Sequence, residues 1–454
     1  MKNNRHLFSG KLGFILASAG ASVGLGNIWR FPYLAARYGG GIFLLVYVLF
    51  ALTFGYTMII AETAIGRMTR RSPANAFAAL SQKRFYRAGG WLNAIIPVII
   101  VSYYAVIGGW VLKYCVAFLT SDTAVLAEDG AFSAFIASPV EAEIYFVVFA
   151  VLTMGVIYMG VQQGIERVSK LMMPLLVLLA VVIAAYACTR PGAAPGIRYF
   201  LVPDFSRFSY KTILAALTQM FYSLSIAMGI LITFGSYMKD DVSIERSTLH
   251  VEAFDTGVAM LAGLMIIPAV FVYSGGQEAA LNSGPSLMFI TLPKALHAME
   301  GGRFIGVLFF VLVFFAALTS AIALAECGVC AMEEHLKWTR RRASLATLLL
   351  ILALGSLSCL GFGPLADVRP FGMQFLDLFD FLSNSVMMPA AALSICLLVT
   401  REIGVGRIAA EVEKDAMPFQ LKPVFNFMIR YLCPVFVTAV LVGAIASMLG
   451  WISI

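Results

Sequence analysis

The chain has 454 residues, 60% of them hydrophobic and 13% charged, and carries a formal net charge of +7; its mean hydropathy is +0.88. A soluble domain of this length does not have such a composition, so a cytosolic globular enzyme is excluded and an all-α polytopic membrane protein is expected. The basic residues gather in alternate loops, so the charge reports membrane orientation and gives no reason to invoke nucleic acid.

Residues 1–11 are short and basic (Lys2, Arg5, Lys11), and the apolar run that follows is too long for a cleaved secretory leader. Apolar runs fall at roughly 12–36, 41–66, 91–120, 144–160, 171–188, 212–238, 251–274, 304–332, 343–362, 371–399 and 428–452, which makes about eleven spans. Segment 66–87 carries Arg67, Arg70, Arg71, Lys83, Arg84 and Arg87 and is expected in the cytoplasm, as is the loop with Lys337, Arg340, Arg341 and Arg342. The 121–143 loop has Asp122, Glu128, Asp129, Glu141 and Glu143 and no basic residue, which places it outside. The 188–211 loop, with Arg190, Arg198, Arg207 and Lys211, is an exception on the outer side. This topology puts the N-terminus in the cytoplasm and the C-terminus outside.

The first span contains Ser18 to Arg30, reading SAGASVGLGNIWR. Gly20, Gly24 and Gly26 each weaken a helix by about 1 kcal/mol relative to alanine. A break here would leave backbone groups without partners, which is tolerated only against protein or a water-filled cavity. Freed carbonyls could then bind a cation and freed amides an anion; a small-residue packing face is the other reading. Glu62 on the second span is an acid inside a membrane, and it either accepts bonds from freed backbone amides or caps a helix near the interface. Tyr103 and Tyr104 follow on the third span, where one hydroxyl could reach a ligand carboxylate. In the fifth, Gly164 and Pro174 are two weak points ten residues apart and predict a hinge at the cytoplasmic end.

The sixth span repeats the theme of the first. It has polar Gln219, Ser223 and Ser225 and then Ala227-Met228-Gly229. Interrupted helices in corresponding halves point to a transporter binding site. Asp255 is a lone carboxylate on the seventh span and a functional candidate for that reason. On the eighth, Ala316-Ala317-Leu318-Thr319-Ser320-Ala321 sets two adjacent hydroxyls among small residues. That suits a hard cation, which takes oxygen ligands, although such pairs also bond back to their own helix. Cys327 and Cys330 form a CxxC with no second pair and read as packing residues. The tenth span starts with Asp377 and Asp380 on the outer side. Arg30 lies toward the outer end of its own helix, so a pair between Arg30 and Asp380 would close the external mouth.

In this order the motifs resemble the neurotransmitter:sodium symporter family, in its bacterial branch, whose architecture is the LeuT fold. The resemblance is carried by Gly24-LGNIWRFP-Tyr33 with Gly39-Gly40-Gly41, by Gly164-IER to Pro174, by Ser223-LSIAMG, by Ala316-ALTS-Ser320 and by Asp377-LFDF-Phe381. It implies a 5+5 inverted repeat with broken first and sixth helices. Residues 1–454 then form one transporter domain: a first repeat over about 11–188, a second over about 210–400, and an added C-terminal span at about 428–452.

The resemblance also implies two sodium sites. One uses the carbonyls of Gly20, Val23 and Ala316 with the hydroxyls of Thr319 and Ser320. The other uses the Ser22 carbonyl, Asn27, Ser223 and the seventh span, where Asp255 either touches the ion or sits just behind it, closed by the substrate carboxylate. The substrate backbone meets the amides near Leu25 and Gly26 and the Tyr104 hydroxyl. Its side chain lies among Ala21, Ser22, Ile100, Tyr222, Ser225, Met228, Ser320, Ala321 and Leu324. Gly24 stands where amine-carrying members of the family place an aspartate, so the substrate is expected to bring its own carboxylate. With no fixed charge in the pocket, a neutral hydrophobic or aromatic amino acid is expected. Animal members use chloride near Tyr47, Gln219 and Ser223; Asp255 can supply that charge, which predicts chloride independence. Arg30 with Asp380 forms the outer gate, and Arg5 with Glu334, supported by Ser236 and Tyr237, the inner one. Phe8 stands where the family often has tryptophan.

The implied function is sodium-coupled uptake of neutral amino acids across the bacterial inner membrane, and a homo-oligomer is compatible with it. Two other readings are a sodium-dependent amino-acid sensor with little flux and a proton-coupled transporter using Asp255 or Glu62. An intramembrane enzyme is excluded by the lack of HExxH, Walker A and GxGD patterns.

Overall fold

The computed structural model describes residues 7–120, 123–273 and 287–448. Among these residues, nine continuous helices are long and apolar enough to cross a membrane. They are Gly41–Thr69, Arg84–Thr120, Pro139–Tyr158, Val161–Cys188, Ile244–Tyr273, Gly302–His335, Arg340–Leu360, Phe375–Ile403 and Lys422–Ala446. One bent pair that passes the same test brings the count to ten, and a further interrupted segment, the sixth, adds to it without meeting that test. The first span is Lys11–Ser22 followed by Gly26–Arg37 at a bend of 51°. The sixth is Tyr210–Ser223 followed by Ile230–Tyr237.

Several spans begin earlier than their hydropathy indicates. The fourth, fifth and third start at Pro139, Val161 and Arg84 rather than near 144, 171 and 91. Polar residues such as Gln162, Glu166 and Lys170 sit on the N-terminal extension of the fifth helix and dilute its apolar signal. The third span is 37 residues long and continuous through Pro97. At 1.5 Å per residue it is ~56 Å long, well beyond the ~30 Å hydrocarbon layer. Its central part packs against the eighth, fourth and ninth spans and forms a fixed wall beside the two broken helices.

The first helix does not break where its glycines begin. Gly20 is helical, and regular structure continues to Ser22 before Val23 turns extended with ψ 99°. A π-helical turn, Gly26–Arg30, restarts the chain and leads into Phe31–Arg37. In the sixth span the break runs through Ser225 and Ala227, which hold positive φ angles of 53° and 58° without being glycine. Such conformations cost of order 1–3 kcal/mol each and persist only when the surroundings enforce them. Here the surroundings include Glu62, whose Oε1 accepts the Ala227 amide at 2.7 Å inside a fully buried site. The alternative of an interfacial cap for Glu62 is not what the structure shows.

The Gly39-Gly40-Gly41 turn joins the first two spans. Gly40 holds φ 59°, and a Cβ there would meet the Tyr199 carbonyl at 2.1 Å. Only glycine lets the outer helix Ala194–Leu201 lie this close, with Gly40 bridging to Pro203. At the N-terminal end of the first helix, Phe8 is buried and packs edge-on against Phe14, Phe234 and Tyr237 at 5.6 to 6.0 Å. The Gly164 to Pro174 segment is wound throughout, as a π-helical stretch Val161–Glu166 running into Arg167–Cys188. Glu166 closes this end by accepting the Ser9 amide at 2.8 Å and pairing with Lys170 at 2.6 Å.

Candidate substrate and ion sites

The two helix breaks face each other across one small pocket. Thirteen residues line it: Ala21, Ser22, Gly24, Leu25, Gly26, Ile100, Tyr104, Tyr222, Ser223, Ser225, Met228, Ser320 and Leu324. None carries a charge. Ala321, expected among them, is buried one position away and does not line it. At one end of the pocket the Leu25 amide donates to the Tyr104 hydroxyl at 3.1 Å. The Gly24 amide is held by Asn27 Oδ1 at 3.0 Å, and the Gly26 carbonyl accepts from Gln219 Nε2 at 2.9 Å. Amides released by the break thus point at the pocket rim beside a phenol, an arrangement suited to a carboxylate.

Behind the first break the Ser320 hydroxyl lies 3.2 Å from the Gly20 carbonyl, 3.2 Å from that of Ala21 and 3.3 Å from that of Val23. A hydroxyl has one proton, so it satisfies one of these three oxygens at a time. Thr319 Oγ1 stands next to it, donating to Phe315 O at 2.9 Å and Ala316 O at 3.2 Å. Gly20, Val23, Ala316, Thr319 and Ser320 are therefore brought together as a set of neutral oxygens, the donor type that a hard monovalent cation takes.

A second oxygen set surrounds Asn27. Its Nδ2 donates to Asp255 Oδ1 at 2.7 Å, to the Asp255 carbonyl at 3.2 Å and to Ser223 Oγ at 2.9 Å. The carboxamide nitrogen thus stands at the point on which these acceptors converge. Asp255 also accepts from the Tyr47 hydroxyl at 2.9 Å and from Ser223 at 2.9 and 3.0 Å. The carboxylate is fully buried, with hydrogen bonds from three elements. It touches Asn27 and Ser223 directly and occupies the space between Tyr47 and Ser223.

Above the pocket a vestibule of about 240 Å³ shares Leu25, Gly26, Tyr104 and Tyr222 with it and adds Trp29, Arg30, Tyr33, Tyr103, Ile107, Leu376, Asp377 and Asp380. The expected Arg30–Asp380 ion pair is not formed. The Arg30 guanidinium lies over the Tyr222 ring at 5.2 Å. Asp380 Oδ1 instead accepts from Tyr103 at 3.1 Å and Asn384 at 2.6 Å. Each partner is occupied by its own wall of an open mouth.

Of the expected inner-gate pair, Arg5 lies outside the described residues, and Glu334 accepts the Ser72 amide at 2.5 Å. Tyr237 donates to Glu326 at 2.8 Å, and Arg340 forks onto Glu326 at 3.1 and 2.6 Å. The sequence reading missed Glu326, although an acid within an apolar run is a signal in itself. It also missed Asn384, whose one cue is its place four residues after Asp380.

A profile of the Sodium:neurotransmitter symporter family matches residues 5–128 and 131–451. The chain belongs to that family. A sodium-dependent transporter of Bacillus subtilis (strain 168) is 36% identical over 412 residues, covering 90% of each chain. A sodium-dependent transporter of Methanocaldococcus jannaschii is 32% identical over 454 residues, covering 96% of this chain and 89% of its own. The crystal structure of MhsT in complex with L-phenylalanine superposes with a TM-score of 0.88 at 34% identity, covering 97% of this chain and all of that one. This symporter family member is thus a multi-pass membrane transporter with the LeuT fold that couples transport to sodium. It is not an enzyme.

Proposed function

We propose that this transporter imports neutral hydrophobic or aromatic amino acids with two sodium ions and without chloride. The observation that carries the reading is the uncharged pocket between the breaks, with the Leu25 amide and Tyr104 hydroxyl at one end and the Asn27–Ser223–Asp255 cluster beside it. A substrate carboxylate at this end meets the amide dipoles and completes the coordination of a sodium held by Asn27, the Ser22 carbonyl, Ser223 and Asp255. Each ligand then raises the affinity of the other by the same factor. The second sodium sits among Gly20, Val23, Ala316, Thr319 and Ser320 and ties the first helix to the eighth.

The pocket is narrow, about 20 Å³, which is room for a water molecule or two. An amino-acid side chain therefore enters by displacing flexible walls. Met228, with three rotatable bonds, is the residue best able to yield, and this favours a range of side chains over a single one. MhsT, solved with L-phenylalanine, supports an aromatic among them. Residues 11–188 and 210–400 are the two repeats, and the loop charges orient the N-terminus to the cytoplasm and the C-terminus outward. Wound at Gly164 to Pro174, the fifth helix shields the second sodium from the cytoplasm, and its unwinding releases that ion.

Uptake of tritiated L-phenylalanine into proteoliposomes tests this directly. Replacing external sodium by potassium at fixed pH should abolish uptake, and replacing chloride by gluconate should leave it unchanged. Uptake that survives in potassium and follows a proton gradient would instead assign the coupling to protons. Binding without flux would make the protein a sensor. Thr319→Ala, which removes one oxygen from the second set, should raise the sodium concentration for half-maximal binding about tenfold, ~1.4 kcal/mol. An unchanged sodium requirement would remove Thr319 from the site.

A further inference from the structure

The two sides of the outer mouth are built differently. Arg30 belongs to the first span and lies on Tyr222 of the sixth, so one side rides on the broken helices. Beyond that ring contact, Arg30 makes no hydrogen bond or ion pair among the described residues. The other side, Asp380, Asn384 and Tyr103, belongs to the continuous tenth and third spans.

On that continuous side, three groups form a closed ring. Asn384 Nδ2 donates to Tyr103 Oη at 3.0 Å and to Asp380 Oδ1 at 2.6 Å, while Tyr103 Oη donates to the same Oδ1 at 3.1 Å. The amide's two protons and the phenol's one proton are all used, so the ring has a single hydrogen-bonding pattern. Tyr103 is buried and Asn384 sits in the π-helical stretch Phe381–Met387, so the carboxylate is tied to two helices at once. Asp380 Oδ2 has no hydrogen-bond partner among the described residues, and Asp380 lines the vestibule.

An ion pair between two mobile, partly hydrated side chains is worth little, because ordering them offsets the attraction. A carboxylate already fixed in direction avoids half of that cost. We propose that Asn384 and Tyr103 are positioning residues of the outer gate: they fix Asp380 so that Oδ2 is presented to Arg30 when the broken helices swing in over bound substrate. The inference rests on the transport reading above and on the outer gate of Arg30 and Asp380 that the family resemblance implies.

The test is a double-mutant cycle read by dissociation of tritiated L-phenylalanine from sodium-loaded, purified protein. Arg30→Ala should speed dissociation about tenfold, the size of one hydrogen bond to a charged group. Asn384→Ala should speed it several-fold, and Tyr103→Phe, which keeps the ring and its packing, should do the same. In the Arg30→Ala background neither change should speed it further, because there is no cation left for Asp380 to meet. With L-phenylalanine held at the same multiple of each variant's own Kd, the sodium concentration for half-maximal binding should stay as in the wild type. Fully additive effects, or a shifted sodium requirement, would assign Asn384 and Tyr103 a merely structural role and overturn the proposal. Unchanged dissociation in Arg30→Ala would instead overturn the gate itself.

Discussion

Gly24→Asp should abolish amino-acid binding. A Cβ at Gly24 would lie 2.5 Å from Ser320 Oγ and 2.9 Å from Tyr104 Oη, so any side chain must displace one group from the second ion site and one from the carboxylate end of the pocket. The aspartate would also place its own charge where the substrate carboxylate approaches the Leu25 amide. Two like charges ~4 Å apart at an effective dielectric constant of ~20 repel by ~4 kcal/mol, enough to weaken binding more than 100-fold. Saturation binding of tritiated L-phenylalanine in excess sodium measures this. Gly24→Ala separates the two terms, since it adds the steric conflict without the charge. An aspartate variant that binds within a few-fold of wild type would show that the substrate carboxylate does not sit at this break.

The second large effect is expected at Asp255. Its carboxylate accepts from Asn27, Tyr47 and Ser223, and Asp255→Ala leaves those donors facing one another in a buried space. An unsatisfied buried donor costs about 1–3 kcal/mol, and the sodium beside Asn27 loses its fixed counter-charge as well. Sodium-dependent binding in gluconate should fall at least ~100-fold. Chloride should restore part of it, because the Tyr47 and Ser223 hydroxyls left behind are donors suited to a small anion. The wild type should bind equally in the two salts. If the variant binds as the wild type does in gluconate, the carboxylate is not the built-in anion. If it binds in neither salt, its thermal stability separates loss of the fold from loss of the site.

Much of this site is legible in one chain because transporters mark their functional residues against an apolar background. Glu62, Asp255, Asp380 and the Thr319-Ser320 pair stand out where polar groups are costly. The glycine-rich stretch from Gly20 to Gly26 signals a weak helix for the same reason. Where within each weak stretch the chain leaves the helix depends on neighbours. Gly20, within the glycine-rich stretch, stays helical, and a Cβ there would lie 3.2 Å from Thr319 Cβ. Ser225 and Ala227 carry the strained turn of the sixth helix although neither is glycine. The Glu62 carboxylate, 165 residues away in sequence, holds that turn.

Composition and periodicity thus determine the class of molecule, roughly how many spans it has and the residue types that meet at mid-membrane. Those depend on transfer of single side chains between water and lipid, a property each residue carries with it. Which oxygens share one proton, that Asp255 fills the space between Tyr47 and Ser223, and that Arg30 rests on Tyr222 while Asp380 is tied to Tyr103 and Asn384 are decided by packing of distant helices. Such contacts turn on tenths of an ångström between groups far apart in the chain, and only the assembled fold sets those distances.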